Sequence, residues 1–331
     1  MRPRRAVIRD ALAPTGVLIV AVDDRAHHLM RALLDDLFGE TLHLATVVVD
    51  SGLTKNRSNY VAAGHSCLLI YARNRAAYER AVPAWRDQRE GIDEVLAAAR
   101  AIWAEFGPDR DEARRRMRAW WVAVPTRSVL RGLVRYSHFL PNGRLARDDN
   151  AGSPHPGGRV YELRNPTTGK RVTMPANGWR YDEARMRKLD AAGQLHWGST
   201  TVAILRPLDA DAGTVPRSVE TVNPTAATRH LAKLLGERPQ GVFPKDHRHL
   251  ARWLRLVTGG KSNAVVLDAF AGTGSVAEAV MLLNAADGGT RRSISIEISP
   301  DTVDRLLVPR LHAAARLYPG ERVVSVGDPV Q

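Results

Sequence analysis

Asp268, Phe270, Gly272, Gly274 and Glu297 carry the most chemical content in the chain. The run Val265-Val-Leu-Asp-Ala-Phe-Ala-Gly-Thr-Gly-Ser275 reads as a buried strand that ends in an acid, then a tight glycine loop, then the start of a helix. Glycines at such a turn let the backbone approach a ligand closely, and the helix N-terminus offers free N–H groups. The next apolar stretch, Ser293–Ile298, carries Glu297 near its end. An acid there can accept hydrogen bonds from both hydroxyls of a ribose. The loop is not a G-x-G-x-x-G fingerprint, and a glycine loop alone leaves the ligand open. The order of strand, glycine loop, helix, strand and acid narrows it toward a nucleoside cofactor.

The elements that must position this loop are legible as apolar periodicity. Val17–Val22, ended by Asp23-Asp24, reads as a buried parallel strand. Arg25–Phe38 follows with Leu29, Leu33, Leu34 and Leu37 at helical spacing and Gly39 as a C-cap. Leu44–Val49 and Cys67–Tyr71 are further strands. The α/β pattern returns after about Arg229, with helices at His230–Leu235, His249–Val257, Ser275–Asn284 and Thr302–Leu317. Arg322–Val326 reads as a last short strand. One sheet fold therefore lies in two sequence blocks, with an insert between them.

The 331 residues suit about two domains. With 44% hydrophobic and 25% charged residues, disorder, collagen and coiled coil are poor readings. Cys67 is the single cysteine, which excludes an intrachain disulfide and a cysteine-built metal site and suits a reducing cytoplasm. In an apolar run it reads as a small buried residue. No apolar run is long enough for a membrane span.

The net charge is +13, and 42 of the 48 basic residues are Arg. Guanidinium forks suit phosphates and guanine edges, although a GC-rich genome also favours Arg codons. Between Asp109 and Arg147 there are 10 Arg and 3 acidic residues, a local net of +7, with Tyr136, His138 and Phe139 among them. Such a stretch suits a nucleic-acid face, yet composition alone favours a solvated helix face and a small β core. Trp120-Trp121 reads as core. Thr258-Gly-Gly-Lys-Ser262 precedes its strand, the wrong order for a phosphate loop. Asp246, His247 and His249 read as surface residues in a basic region, and no metal ligands are assigned.

The segment Asp268–Ser275 resembles the S-adenosylmethionine loop of amino-group DNA methyltransferases. Its continuation Ala279-Val-Met-Leu-Leu-Asn284-Ala-Ala-Asp-Gly-Gly289 is similar to one branch, the modification subunits of type III restriction systems and their stand-alone adenine methyltransferase relatives. Phe243-Pro-Lys245 resembles the segment that precedes the cofactor loop in that branch. Tyr161–Lys170, Pro175, Gly178-Trp-Arg180 and His196-Trp-Gly198 resemble its target-recognition region. Val17–Asp24 with Leu37-Phe-Gly39, and His65–Ala72, resemble strands that follow its catalytic loop.

The resemblance implies an α/β fold, a Rossmann-like methyltransferase sheet in permuted order. Residues 1–80 would be the catalytic half, 81–225 a target-recognition insert and 226–331 the cofactor half. S-adenosyl-L-methionine is the implied cofactor. Asp268, Phe270, Gly272 and Gly274 would line its methionine end, Glu297 would hold the ribose, and Lys245 would approach it. Asp328 is a candidate to face the adenine ring. Arg144, Arg147, Trp179 and Arg180 are the candidate contacts to double-stranded DNA. A homodimer, a restriction subunit and a complementing N-terminal fragment are the other partners implied, with no membrane.

One departure stands out. The family's Asp/Asn/Ser-Pro-Pro-aromatic signature is absent, since none of the 19 prolines adjoins another. Asn165-Pro, Asn223-Pro and Asp328-Pro lack the second proline and the aromatic. Only 16 residues precede Val17, too few for a strand, a catalytic loop and a helix. The expectation is an N-terminally incomplete chain with no catalytic residue of its own, which leaves backbone groups unpaired in the middle of the sheet. It would be an adenine-N6 methyltransferase that needs complementation, or a non-catalytic recognition subunit.

Overall fold

The computed structural model describes residues 2–52, 60–61, 64–87, 91–208 and 213–320. The expected strand Arg322–Val326 and Asp328 lie outside them. The chain divides into two compact units, one of Met1–Asp87 with Val215–Gln331 and one of Gln88–Thr214.

The first unit starts with α1 (Arg2–Ala11), β1 (Val17–Asp23), α2 (Asp24–Phe38), β2 (His43–Asp50), β3 (His65–Ala72) and α3 (Arg75–Ala81). Asp23 caps α2 by accepting from the Ala26 amide at 3.1 Å, which gives that acid a structural role. Gly39, at φ +94°, ends the helix. β1 pairs antiparallel with β3, Val17 opposite Ala72, so the parallel strand expected there is corrected. Its apolar run reflects coverage on both faces, which an antiparallel strand can also have.

The second unit contains α4 (Ile92–Phe106), α5 (Arg110–Ala123), β4 (Tyr136–Phe139), β5 (Leu145–Asn150), α6 (Glu183–Ala191), β6 (Leu195–Trp197) and β7 (Val202–Pro207). The four strands form an antiparallel sheet ordered β4-β5-β7-β6. Met117 and Trp121 of α5 pack with Val95 of α4 and with Phe139 and Leu145. Trp121 donates to the Tyr136 carbonyl at 2.8 Å, so it is a core residue. Tyr136, His138 and Phe139 are buried in β4.

The first unit resumes with β8 (Val219–Thr221), α7 (Pro224–Leu235), α8 (His247–Val257), β9 (Val265–Asp268), α9 (Ser275–Asp287), β10 (Arg292–Ser295) and α10 (Pro300–Thr302), which runs through a π-turn into α11 (Val308–Leu317). β8 pairs parallel with β2, Val48 opposite Val219, and Trp85 packs edge-on against Trp253 of α8. Residues 81–87 and 215–225, expected in the insert, therefore belong with the α/β unit. Pairing and an indole contact tie them there, and neither has a local sequence signal.

In this unit β3 alternates its faces. Leu69 and Tyr71 pack against Leu34 and Phe38 of α2, while Leu68 and Ile70 pack against Trp253, Leu256 and Val257 of α8. The opposite side of α8 meets α9, where Ala251 packs with Ala279 and Leu283. α8 is thus apolar on two sides and joins the first sheet to the glycine-loop helix.

The unit is α/β, with the glycine-loop strand late in the chain. It is not one continuous sheet. One sheet is ordered β1-β3-β2-β8 and the other is the parallel pair β10-β9. Among the described residues no strand lies on the second edge of β1 or of β9. β9 leaves Val265 52% and Leu267 45% exposed, unusual for a strand with parallel pairing.

A polar knot seats α8 on the first sheet. Glu220 of β8 accepts from His249, Arg252 and Trp253 at 2.9, 2.7 and 3.2 Å, and Arg252 also binds Asp87. Burial pushes the Glu220 carboxyl up, but these donors outweigh it and hold it below its usual value. A depressed folded pKa gives stability that is present above the unfolded value, about 4.3, and lost as pH falls through the folded one. Glu220→Gln should cost roughly 2 kcal/mol at pH 7 and flatten the fall of the thermal midpoint between about pH 5 and pH 3. An unchanged acid slope would contradict this role.

Candidate functional site

The glycine loop joins β9 to α9. The Asp268 carboxylate accepts from the Phe270 amide at 3.2 Å, folding the chain back after the strand. The Gly272 amide donates to Glu297 Oε2 at 2.8 Å, and the Ser299 amide donates to Glu297 Oε1 at 3.0 Å. Ala271 N–H donates to the Ile296 carbonyl at 3.0 Å. The loops after β9 and β10 are therefore fastened at adjacent strand ends, as their parallel pairing requires. Each oxygen of Glu297 keeps a lone pair for a hydroxyl.

The Ser299 amide, opposed by burial and aided by the Gly272 amide, holds the Glu297 carboxyl below its usual value. Burial raises that of Asp268; the Phe270 amide opposes it and the Glu297 charge adds to it. The two acids thus differ: a firmly ionised acceptor beside one more readily protonated. Phe270 is 86% exposed and offers its ring to whatever the loop holds.

Gly272 sits at φ +50° and Gly274 at φ +78°, where it begins α9. A Cβ on Gly274 would lie 2.7 Å from Leu307 Cδ1, whereas one on Gly272 meets nothing closer than 4.0 Å. Gly272 leaves open space beside the loop, and Gly274 lets α11 approach it.

The structure thus brings Asp268, Phe270, Gly272, Gly274 and Glu297 together. Lys245 is exposed, one residue before Asp246, which caps α8, and it makes no bond to the loop. Cys67 is buried as expected, whereas His249, expected at the surface, is part-buried against Glu220. His247 is buried beside His230 and Glu278, a grouping the sequence reading missed because its members lie on three helices far apart in the chain.

In the second unit Arg144 is exposed in the turn between β4 and β5. Trp179 is corrected: it is 1% exposed, in a core with Met186 and Ile204, and donates to the Tyr161 carbonyl at 3.0 Å. The turn that carries it folds the indole inward. Arg180 and Arg206 bind Asp149 at 3.0 and 3.3 Å, with Arg147 3.8 Å from the same carboxylate. Three guanidiniums share one carboxylate, so the cluster keeps a surplus of two positive charges. Burial and the nearby Arg114 push His138 down to about 3, so it adds no charge. A cavity of about 350 Å³ in this unit is lined by Arg118, Arg131, Arg135 and His138.

A family profile described as DNA methylase matches residues 1–307. Among curated relatives, the Mod subunit of the type III restriction-modification enzyme EcoP15I from Escherichia coli is 24% identical, over 92% of this chain and 46% of its own. The StyLTI Mod subunit from Salmonella typhimurium is 24% identical, over 89% of this chain and 39% of its own. Type II methyltransferase M.KpnI from Klebsiella pneumoniae is 24% identical, over 89% and 65%. The chain thus spans less than half the length of these two type III relatives. A solved structure of a DNA modification methylase from Thermus thermophilus, in complex with S-adenosyl-L-methionine, covers 96% of this chain and 75% of its own at 12% identity and a TM-score of 0.38.

The two loop glycines should respond differently to substitution. Gly274→Ala meets both strain and a clash and should cost about 2–3 kcal/mol, while Gly272→Ala meets strain alone and should cost about 1 kcal/mol. Denaturant unfolding of both variants checks this, and equal losses or the reverse order would contradict the loop geometry.

Proposed function

The chain belongs to the DNA methylase family, and from that premise we propose that it is part of a site-specific DNA methyltransferase that binds S-adenosyl-L-methionine at the glycine loop and serves transfer to the N6 amine of adenine. The observation that carries this reading is the closure of the loop by Glu297 beside Asp268. Glu297 holds the ribose hydroxyls. Asp268, Phe270, Gly272 and Gly274 line the methionine end, and Lys245 reaches the cofactor from the loop before α8. The cofactor supplies an electrophilic methyl group on a sulfonium. The amine nitrogen of a flipped base takes that methyl and releases a proton.

DNA lies on the second unit. Its backbone is held by guanidiniums, among them Arg144, Arg147 and Arg180, with the surplus charge around Asp149 favouring phosphate. Double-stranded DNA is the substrate, and a homodimer and a restriction subunit are the further partners of this reading.

The chemistry itself needs a side chain and a carbonyl to orient the amine, and an aromatic to stack on the base. No Pro-Pro-aromatic segment exists in these 331 residues. On its own the chain therefore binds cofactor and DNA without methylating, and a segment carrying that loop completes it. The same absence favours a second reading, a recognition subunit that never catalyses.

Purified chain with labelled S-adenosyl-L-methionine and unmethylated DNA should leave the DNA unlabelled. Adding the Asp-Pro-Pro-Tyr-bearing N-terminal fragment of a type III Mod subunit should put label into N6-methyladenine. Label in DNA without the fragment would refute the need for complementation. Label on cytosine N4 would refute adenine specificity. Binding of cofactor and DNA without transfer under any complementation would establish the recognition subunit.

A further inference from the structure

Arg310 lies on α11 yet makes most of its bonds at the glycine loop. It is fully buried, and its Nη1 donates to the Thr273 hydroxyl at 2.8 Å, to the Thr273 carbonyl at 3.2 Å and to the Ser275 hydroxyl at 2.8 Å. Thr273 stands between the two positive-φ glycines, so this one guanidinium fixes the residue on which both turns pivot. From its other side Nε donates to Glu278 Oε2 at 2.7 Å. Glu278 is also fully buried, and its Oε1 accepts from His230 Nε2 at 2.5 Å, with His247 Nε2 3.7 Å away. The imidazoles of His230 and His247 stack at 4.3 Å. Burial would raise the Glu278 carboxyl, but His230 and Arg310 outweigh it and keep it low, so it is an anion facing a guanidinium.

We propose that Arg310 is a positioning residue for cofactor binding, holding the Thr273–Ser275 turn in its receptive form, and that Glu278 with His230 aims it. This rests on the reading of the loop as the S-adenosyl-L-methionine site. A buried charge keeps its place only when its donors are satisfied, and Arg310 divides them between Glu278 and the loop. The fork is what matters: a Lys ammonium is a compact point charge without the planar, spread donors that reach both sides at once.

The donor atoms of His230, His247 and Glu278 lie within 4.8 Å of one another, a spacing that would also suit a divalent cation. Arg310 argues against one. It occupies Glu278 Oε2 with a permanent positive charge, and His230 bonds directly to Oε1. The cation in this cluster is the guanidinium.

Arg310→Lys separates positioning from support. Calorimetric titration should show S-adenosyl-L-methionine binding weakened about tenfold or more, with DNA affinity within twofold of the native chain. Hydrogen exchange should quicken at the Gly272–Ser275 amides but not along the middle of α9. Native affinity in a folded Arg310→Lys chain would overturn the proposal. If that variant does not fold, Thr273→Val, which removes one loop acceptor and leaves the Arg310–Glu278 pair intact, should weaken binding about threefold, and no change would overturn it. If the native chain binds no S-adenosyl-L-methionine, the reading of the site fails instead. Stoichiometric zinc retained by the native chain after dialysis against zinc chloride, and lost in Glu278→Gln, would replace the guanidinium role with a metal site.

Discussion

The amides of Gly272 and Ser299 point at the carboxylate of Glu297 from the two loops that follow neighbouring parallel strands. That contact imposes an order on the region around it. The strands must run parallel and in register, Leu267 beside Ile294, so that both loops open at the same end. The residue at the first turn must be glycine to bring its N–H to the carboxylate. The second glycine must admit α11, which carries Arg310 beneath the loop. α9, started by this turn, rests on α8, and α8 rests on the β1–β3–β2 sheet. The glycine-loop helix and the core of the first unit are thus linked through one helix that is apolar on two sides.

The loop was legible because its chemistry is local. Asp268, Gly272 and Gly274 fall within seven residues, and Glu297 ends the next apolar stretch. Apolar periodicity likewise marked β1, β2, β3 and most helices. What escaped depends on distant pairings. β8 is three residues long and becomes a strand by pairing with β2. Trp85 gives no sign that Trp253, far along the chain, completes its environment. Trp179 looked accessible because it sits in a turn, and only the fold shows that the turn closes inward. Glu278 and Arg310 carry no local signal of their pairing, and both are fully buried against each other.

The first unit is divided between two sheets. Among the described residues β9 presents apolar side chains and an unpaired backbone edge, and β1 has an unpaired edge of its own. Parallel strands are ordinarily covered on both faces and paired on both sides. The basic second unit keeps its own antiparallel sheet and cores.

The most direct measurement is a calorimetric titration of S-adenosyl-L-methionine into the purified chain, repeated with Glu297→Gln. One site per chain is expected, weakened roughly tenfold by the substitution, the loss of about one charged hydrogen bond. Absence of binding, or an affinity indifferent to Glu297, would contradict the assignment of the glycine loop.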